Sequence, residues 1–184
     1  MKPVTRDELL DLTAYEKARP DIQARAMAAK EPRRVHLGDS LTFLFENRET
    51  IRYQIQEMIR AERMVKEEDI AHELETYNEL LGGQGELGAA LLIEIDDPAL
   101  RDRKLREWMG LPGRIYLRTA TGREVHATFD PRQVGSDRLS SVQYLKFDTR
   151  GEVPVAVGSD LPALPIEAKL SPEQQAALAS DLRE

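Results

Sequence analysis

Between Leu87 and Ile95 the chain reads LGAALLIEI, an almost continuously apolar run with a single charge. A bilayer-spanning helix needs about 20 apolar residues, so this run is far too short to cross a membrane and has the pattern of a central β-strand. It is bounded on one side by Gly82-Gly83 and on the other by Asp96-Asp97-Pro98. The first pair reads as a helix stop, and the second as an aspartate cap followed by proline in the first helical turn. The chain must therefore build a sheet around residues 87–95 and connect it to helices on both sides.

The flanking segments supply the partners. Arg34–Glu46 (RVHLGDSLTFLFE) alternates apolar and polar residues around Gly38-Asp39-Ser40, the pattern of a β-hairpin. Arg114–Ala120, Arg123–Phe129 and Val142–Phe147 are further strands, with a tight turn at Thr121-Gly122. Helices are expected from the Thr5/Glu8 capping pair to the residue before Pro20, and from Asp21 to Lys30. Two more span Arg48–Val65 and Glu67–Leu81, and another follows Pro98 to Gly110. Five or six strands joined by hairpins and interrupted by helices give an α+β fold. Its largely antiparallel sheet carries a helical hairpin at about 48–81 and further helices.

After Arg150 the composition changes, with Pro154, Pro162 and Pro165 among small apolar residues, and Ser171-Pro172-Glu173 opening a short last helix. The expected division is an α+β core at 1–150 and a proline-containing extended arm at 151–184, ending in that helix. The arm's valines and leucines are too numerous for an inert linker, so it is expected to pack on its own domain or on a partner.

Composition removes whole classes of chemistry. The 184 residues contain no cysteine, which excludes disulfides, thiolate-ligated metals, cysteine nucleophiles and protein-held iron–sulfur clusters. With 26 basic against 33 acidic residues the net charge is −7, which argues against nucleic-acid binding and attraction to anionic membranes. The opening MKPVTRDELLDL carries acids where a secretion signal needs an apolar stretch, so a cytoplasmic location is expected. No G-x-S-x-G, P-loop or G-x-G-x-x-G motif occurs, and the paired Glu-x-x-His repeats of a di-iron bundle are missing.

Polar residues on core-facing stripes locate the candidate site. At 100° per residue Ile51, Ile55, Met58, Ile59 and Val65 share one side of a helix. Glu62 falls within that stripe and Gln54 on its edge. On the next helix, Asn78 and Glu73 border the stripe of Ile70, Leu74, Tyr77 and Leu81. A buried carboxylate must be paired or neutralised, and Arg48, Arg52, Arg60 and Arg63 stand nearby in sequence. One reading is a polar pocket between 46 and 78. There Glu62, Glu57 or Tyr53 would be catalytic, and Glu46, Arg48, Arg52, Gln54, Arg60, Tyr77 and Asn78 would bind ligand. Glu57, Glu62, Glu73 and His72 are candidates for a divalent metal. The other reading is a structural network that locks the helical hairpin to the sheet, with Asn47 capping its first helix.

The strings ENRETIRYQIQEMIRAERM (46–64) and ELETYNELL (73–81), with RRVHLGDSLTFLFEN and LLDLTAYEKARP before them, resemble a bacterial family known as domain of unknown function 3501. The resemblance covers roughly residues 1–150. The matching positions are Glu46, Asn47, Arg48, Arg52, Tyr53, Gln54, Gln56, Glu57, Arg60, Glu62, Tyr77 and Asn78. It implies a context rather than an activity: members tend to be encoded beside rubrerythrin-like proteins and an iron–sulfur oxidoreductase. A rubrerythrin-like or iron–sulfur partner in a redox or oxidative-stress pathway is therefore expected. An enzyme built on the 46–78 pocket is the alternative.

Overall fold

The computed structural model describes residues 1–184. Its strands are β1 (Arg34–Leu37), β2 (Leu41–Glu46), β3 (Glu86–Ile93), β4 (Ile115–Thr119), β5 (Glu124–His126), β6 (Val142–Asp148), β7 (Pro154–Leu161) and β8 (Leu164–Lys169). Its helices are α1 (Leu12–Lys30), α2 (Arg48–Ala61), α3 (Glu67–Asn78), α4 (Pro98–Glu107) and α5 (Pro172–Asp181). The α+β class is as expected, but eight strands form two antiparallel four-stranded sheets, ordered β1-β2-β3-β6 and β5-β4-β7-β8.

The two sheets face each other across one apolar core. Phe43, Phe45, Leu87, Leu91 and Phe147 project from the first, and Ile115, Leu117 and Val157 from the second. Side chains on a strand alternate between faces, so Leu87, Leu91 and Ile93 of β3 occupy the inner face while Gly88 and Ala90 lie on the outer one. A Cβ on Gly88 would stand 1.9 Å from the carbonyl oxygen of Leu80. Glycine there lets the end of α3 rest directly on the sheet. That outer layer has its own core, in which Ile51, Ile55, Ile59, Ile70 and Leu74 of α2 and α3 enclose Val4 and Leu9.

Three expectations are corrected. The proline-containing arm at 151–184 is not an arm: β7 pairs with β4, and β8 pairs with β7. The prolines sit where a sheet tolerates them: Pro154 at the first strand position, Pro162 in the turn and Pro165 on edge strand β8. Gly158 of β7 lies under the Tyr116 ring, where a Cβ would come within 2.4 Å of the side chain.

The break expected at Pro20 also does not occur. Helix α1 continues through it, because Pro20 and Glu16, whose carbonyl loses its donor, both face solvent. Asp11, not Thr5, caps α1, accepting from Ala14 N at 2.9 Å. The Thr5/Glu8 box closes only a single 3-10 turn.

Finally, α2 ends at Ala61 instead of near Val65. Glu62 N–H donates to Met58 O, and Met64 N–H reaches back to Ile59 O at 3.0 Å. Arg63 takes a left-handed φ of 51°, the geometry of a Schellman stop.

Candidate functional site

Residues 1–10 form an irregular strap across α2 and α3, and the polar residues of the helical hairpin hold it. Asn78 Oδ1 accepts from Val4 N at 2.8 Å, while its Nδ2 donates to Val4 O at 2.9 Å. Gln56 treats Leu10 in the same way, with its Oε1 accepting at 2.9 Å and its Nε2 donating at 3.0 Å. A carboxamide offers the same donor and acceptor as a peptide unit, so each side chain pairs with the main chain as a neighbouring strand would. Arg48 Nε donates to Lys2 O at 2.9 Å, and its Nη2 donates to Glu8 Oε1 at 2.6 Å. Between these polar ties Val4 and Leu9 are buried.

Glu57, one turn beyond Tyr53, faces α1. Its Oε1 accepts from the Tyr15 hydroxyl at 2.6 Å and from Arg19 Nε at 2.8 Å, and its Oε2 accepts from Arg19 Nη2 at 3.0 Å. These hydrogen bonds, Arg19 first, hold its carboxyl down at about 2 against the opposing effect of burial. Burial and the bond to Glu57 push the Tyr15 phenol up. Arg60 adds a second cation 3.5 Å from Glu57 and reaches Glu16 at 3.7 Å. Glu57 is thus a permanently ionised acceptor at neutral pH, suited to joining two helices and unsuited to donating a proton.

Glu46 has the opposite electrostatics. It lies at the end of β2, and burial raises its carboxyl although Thr50 donates to it and Lys30 and Arg33 oppose the shift. Next to it, Asn47 caps α2: its Oδ1 accepts from Thr50 N at 3.0 Å, and its own N–H donates to Thr50 Oγ1 at 3.0 Å. Tyr53 is buried, with the Lys30 ammonium 5.4 Å from its ring centre, within range of a cation–π contact. Behind this group Arg33 forms a two-bond fork with Asp181 of α5, at 2.8 and 2.7 Å.

The remaining candidates do not converge. Arg52 pairs with Glu49 one turn away at 2.5 Å. Tyr77 is half-buried, and burial raises its phenol while Gln54 beside it acts in the other direction. Glu62 is exposed, not core-facing; it caps the end of α2, where its N–H still bonds to Met58 O and the chain turns away one residue later at Arg63. With His72 and Glu73 it borders a shallow depression at the hairpin turn, away from the Tyr15–Arg19–Glu57 knot. No three histidine or carboxylate side chains are grouped to hold a metal ion.

Sequence reasoning missed Tyr15, Arg19, Lys30, Arg33 and Asp181. The first two are four residues apart on one helix, a spacing that puts them on one face and could have flagged them. Arg33 and Asp181 left no local signal.

Comparison with known proteins follows the whole length of this architecture. A family model described as Protein of unknown function (DUF3501) matches residues 3–182. The chain is also similar to a crystal structure from Burkholderia pseudomallei K96243, described as a novel protein of unknown function. The two share 34% sequence identity with a TM-score of 0.89, over 98% of this chain and 100% of that one. The curated proteins give no match. The matches reach through β7, β8 and α5, the part that composition had set apart.

Proposed function

The chain belongs to the DUF3501 family of proteins of unknown function, and from that premise we propose that it is a cytoplasmic accessory protein. It would dock on a rubrerythrin-like or iron–sulfur oxidoreductase partner in a redox or oxidative-stress system, without catalysing a reaction at residues 46–78. One observation carries the non-catalytic half of this reading. Arg48, Gln56, Glu57 and Asn78 already bind the chain's own strap and α1 through main-chain pairs and forks of 2.6–3.0 Å. Groups engaged in this way build a rigid scaffold. The partner half draws on the genomic neighbourhood that the family resemblance implies, and on the absence of cysteine, which leaves any thiolate-ligated iron to the partner.

The test is affinity purification of the native, full-length protein from its source organism, followed by mass spectrometry of retained proteins and iron analysis. Recovery of a rubrerythrin-like or iron–sulfur protein at near-stoichiometric yield supports the reading. Recovery of neither, from cells shown to express both, overturns it. Truncation at Arg150 is not a usable control, because it would remove two strands of the second sheet. A substitution of Val65, whose side chain is 78% exposed, perturbs the surface and leaves the core intact.

A further inference from the structure

Where the end of α3 meets β6 and the segment after β5, the surface folds in to form a recess of about 550 Å³. That volume lies within the ~300–1,000 Å³ range of small-molecule sites. Leu80, Phe129, Tyr144 and Leu145 supply its apolar wall. Tyr144 is 47% exposed, and its main chain is held in place: Gln133 Oε1 accepts from its N–H at 2.7 Å, and Gln133 Nε2 donates to its carbonyl at 2.9 Å.

The charges around this wall are arranged unevenly. Asp130 is neutralised by Arg132, whose guanidinium grips it at 2.6–3.1 Å. The two other charged residues lining the recess are Glu79 and Lys146. Neither Glu79 nor Lys146 is in ion-pair contact with an opposite charge, although Arg132 lies near enough to Glu79 to feel its charge. Glu79 also follows directly on the last turn of α3, where the helix carbonyls add partial negative charge. The recess therefore offers a negative pole, a positive pole and an apolar, aromatic wall.

We propose that this recess binds a small zwitterion bearing an apolar group, the chemistry of a free hydrophobic or aromatic α-amino acid. The ligand carboxylate lies toward Lys146, its ammonium toward Glu79 and the end of α3, and its side chain against Phe129 and Tyr144. Lys146 is half-buried, so its charge gains more from an opposite one than an exposed charge does, while Glu79 stands exposed and contributes less. Each pole adds selectivity over a ligand lacking the matching group, Lys146 the larger share.

The experiment titrates L-phenylalanine into the full-length protein, followed by calorimetry and by amide NMR shifts at Tyr144 and Lys146. Two probes each lack one pole: 3-phenylpropionate has no ammonium, and phenethylamine has no carboxylate. Saturable binding of phenylalanine is expected at millimolar Kd or tighter, with phenethylamine weaker by about tenfold and 3-phenylpropionate by about threefold. Lys146→Met should weaken phenylalanine and phenylpropionate but leave phenethylamine unchanged. Glu79→Gln should weaken phenylalanine and phenethylamine but leave phenylpropionate unchanged. Unaltered thermal melting establishes that each variant is folded, and Lys146→Gln replaces Lys146→Met if it is not. The proposal fails if phenylalanine does not saturate, if neither variant alters its affinity, or if either single-charge probe binds as tightly as the zwitterion.

Discussion

Arg33 and Asp181 stand 148 residues apart and meet as a planar fork, Nε to Oδ2 at 2.8 Å and Nη2 to Oδ1 at 2.7 Å, with both side chains almost wholly out of water. The arginine also donates from Nη1 to the Ala29 carbonyl at the end of α1, at 2.7 Å. Three parts of the chain are thus tied at one point: the end of α1, the turn into β1, and α5. Removing one member leaves the other charge buried and alone, at a cost of about 3–5 kcal/mol. Asp181→Asn should show that loss in urea unfolding. The double variant Arg33→Met/Asp181→Leu should recover most of it, because no charge then remains to be desolvated.

The Glu57 knot makes stability depend on acidity in a defined direction. Its carboxyl is held at about 2, below the ordinary value of 4.5. The stabilisation is therefore complete above about pH 4.5 and is lost as pH falls through about 2. Unfolding midpoints measured across this window should fall for the native protein and fall less for Glu57→Gln. Tyr15→Phe removes the 2.6 Å bond to Glu57 and keeps Arg19. It should cost about 1.5–3 kcal/mol at neutral pH, the range for a hydrogen bond to a charged group, and move the acid transition upward.

The strap depends on two carboxamides. Asn78→Ala deletes both bonds to Val4 and should cost about 1–3 kcal/mol. Hydrogen exchange should accelerate at the Val4 amide while the β3 amides stay protected. Asn78→Asp should do no better than alanine, since it sets a carboxylate oxygen against the Val4 carbonyl.

Arg63 adopts φ 51° at the end of α2, a conformation costing a residue with a Cβ about 1–2 kcal/mol. Arg63→Gly should raise stability by up to about 1 kcal/mol in thermal or urea unfolding, because part of that relief is offset by the greater freedom of glycine in the unfolded chain. Arg63→Ala, which keeps the Cβ, should not reproduce the gain.

Elements whose signals are local were legible in the residues. Asp97 and Pro98 mark the start of α4, and the Asp97 side chain accepts from Leu100 N at 2.7 Å. Asn47 caps α2 as expected, with Thr50 completing the box, and the Arg34–Glu46 hairpin turns where Gly38 takes φ 64°. The candidate site was legible in part. Asn78 and Gln54 do lie on partly buried faces, but Glu62 does not: it is the cap residue at the end of α2, where the helix runs out past the core. Periodicity assumes that the helix continues, and a left-handed arginine gives no compositional warning of where it stops.

The sequence by itself determined the α+β class, the strand character of residues 87–93, the helical hairpin and the exclusion of thiolate chemistry, since capping, periodicity and composition all act within a few residues. Only the tertiary structure decided that residues 154–169 are sheet and not arm, that Asn78 and Gln56 read the main chain of residues 4 and 10, and that Arg33 finds Asp181. Each of these is a pairing between distant segments. Its stabilisation arises only when both segments are in place and water is gone, so no window along the chain contains it.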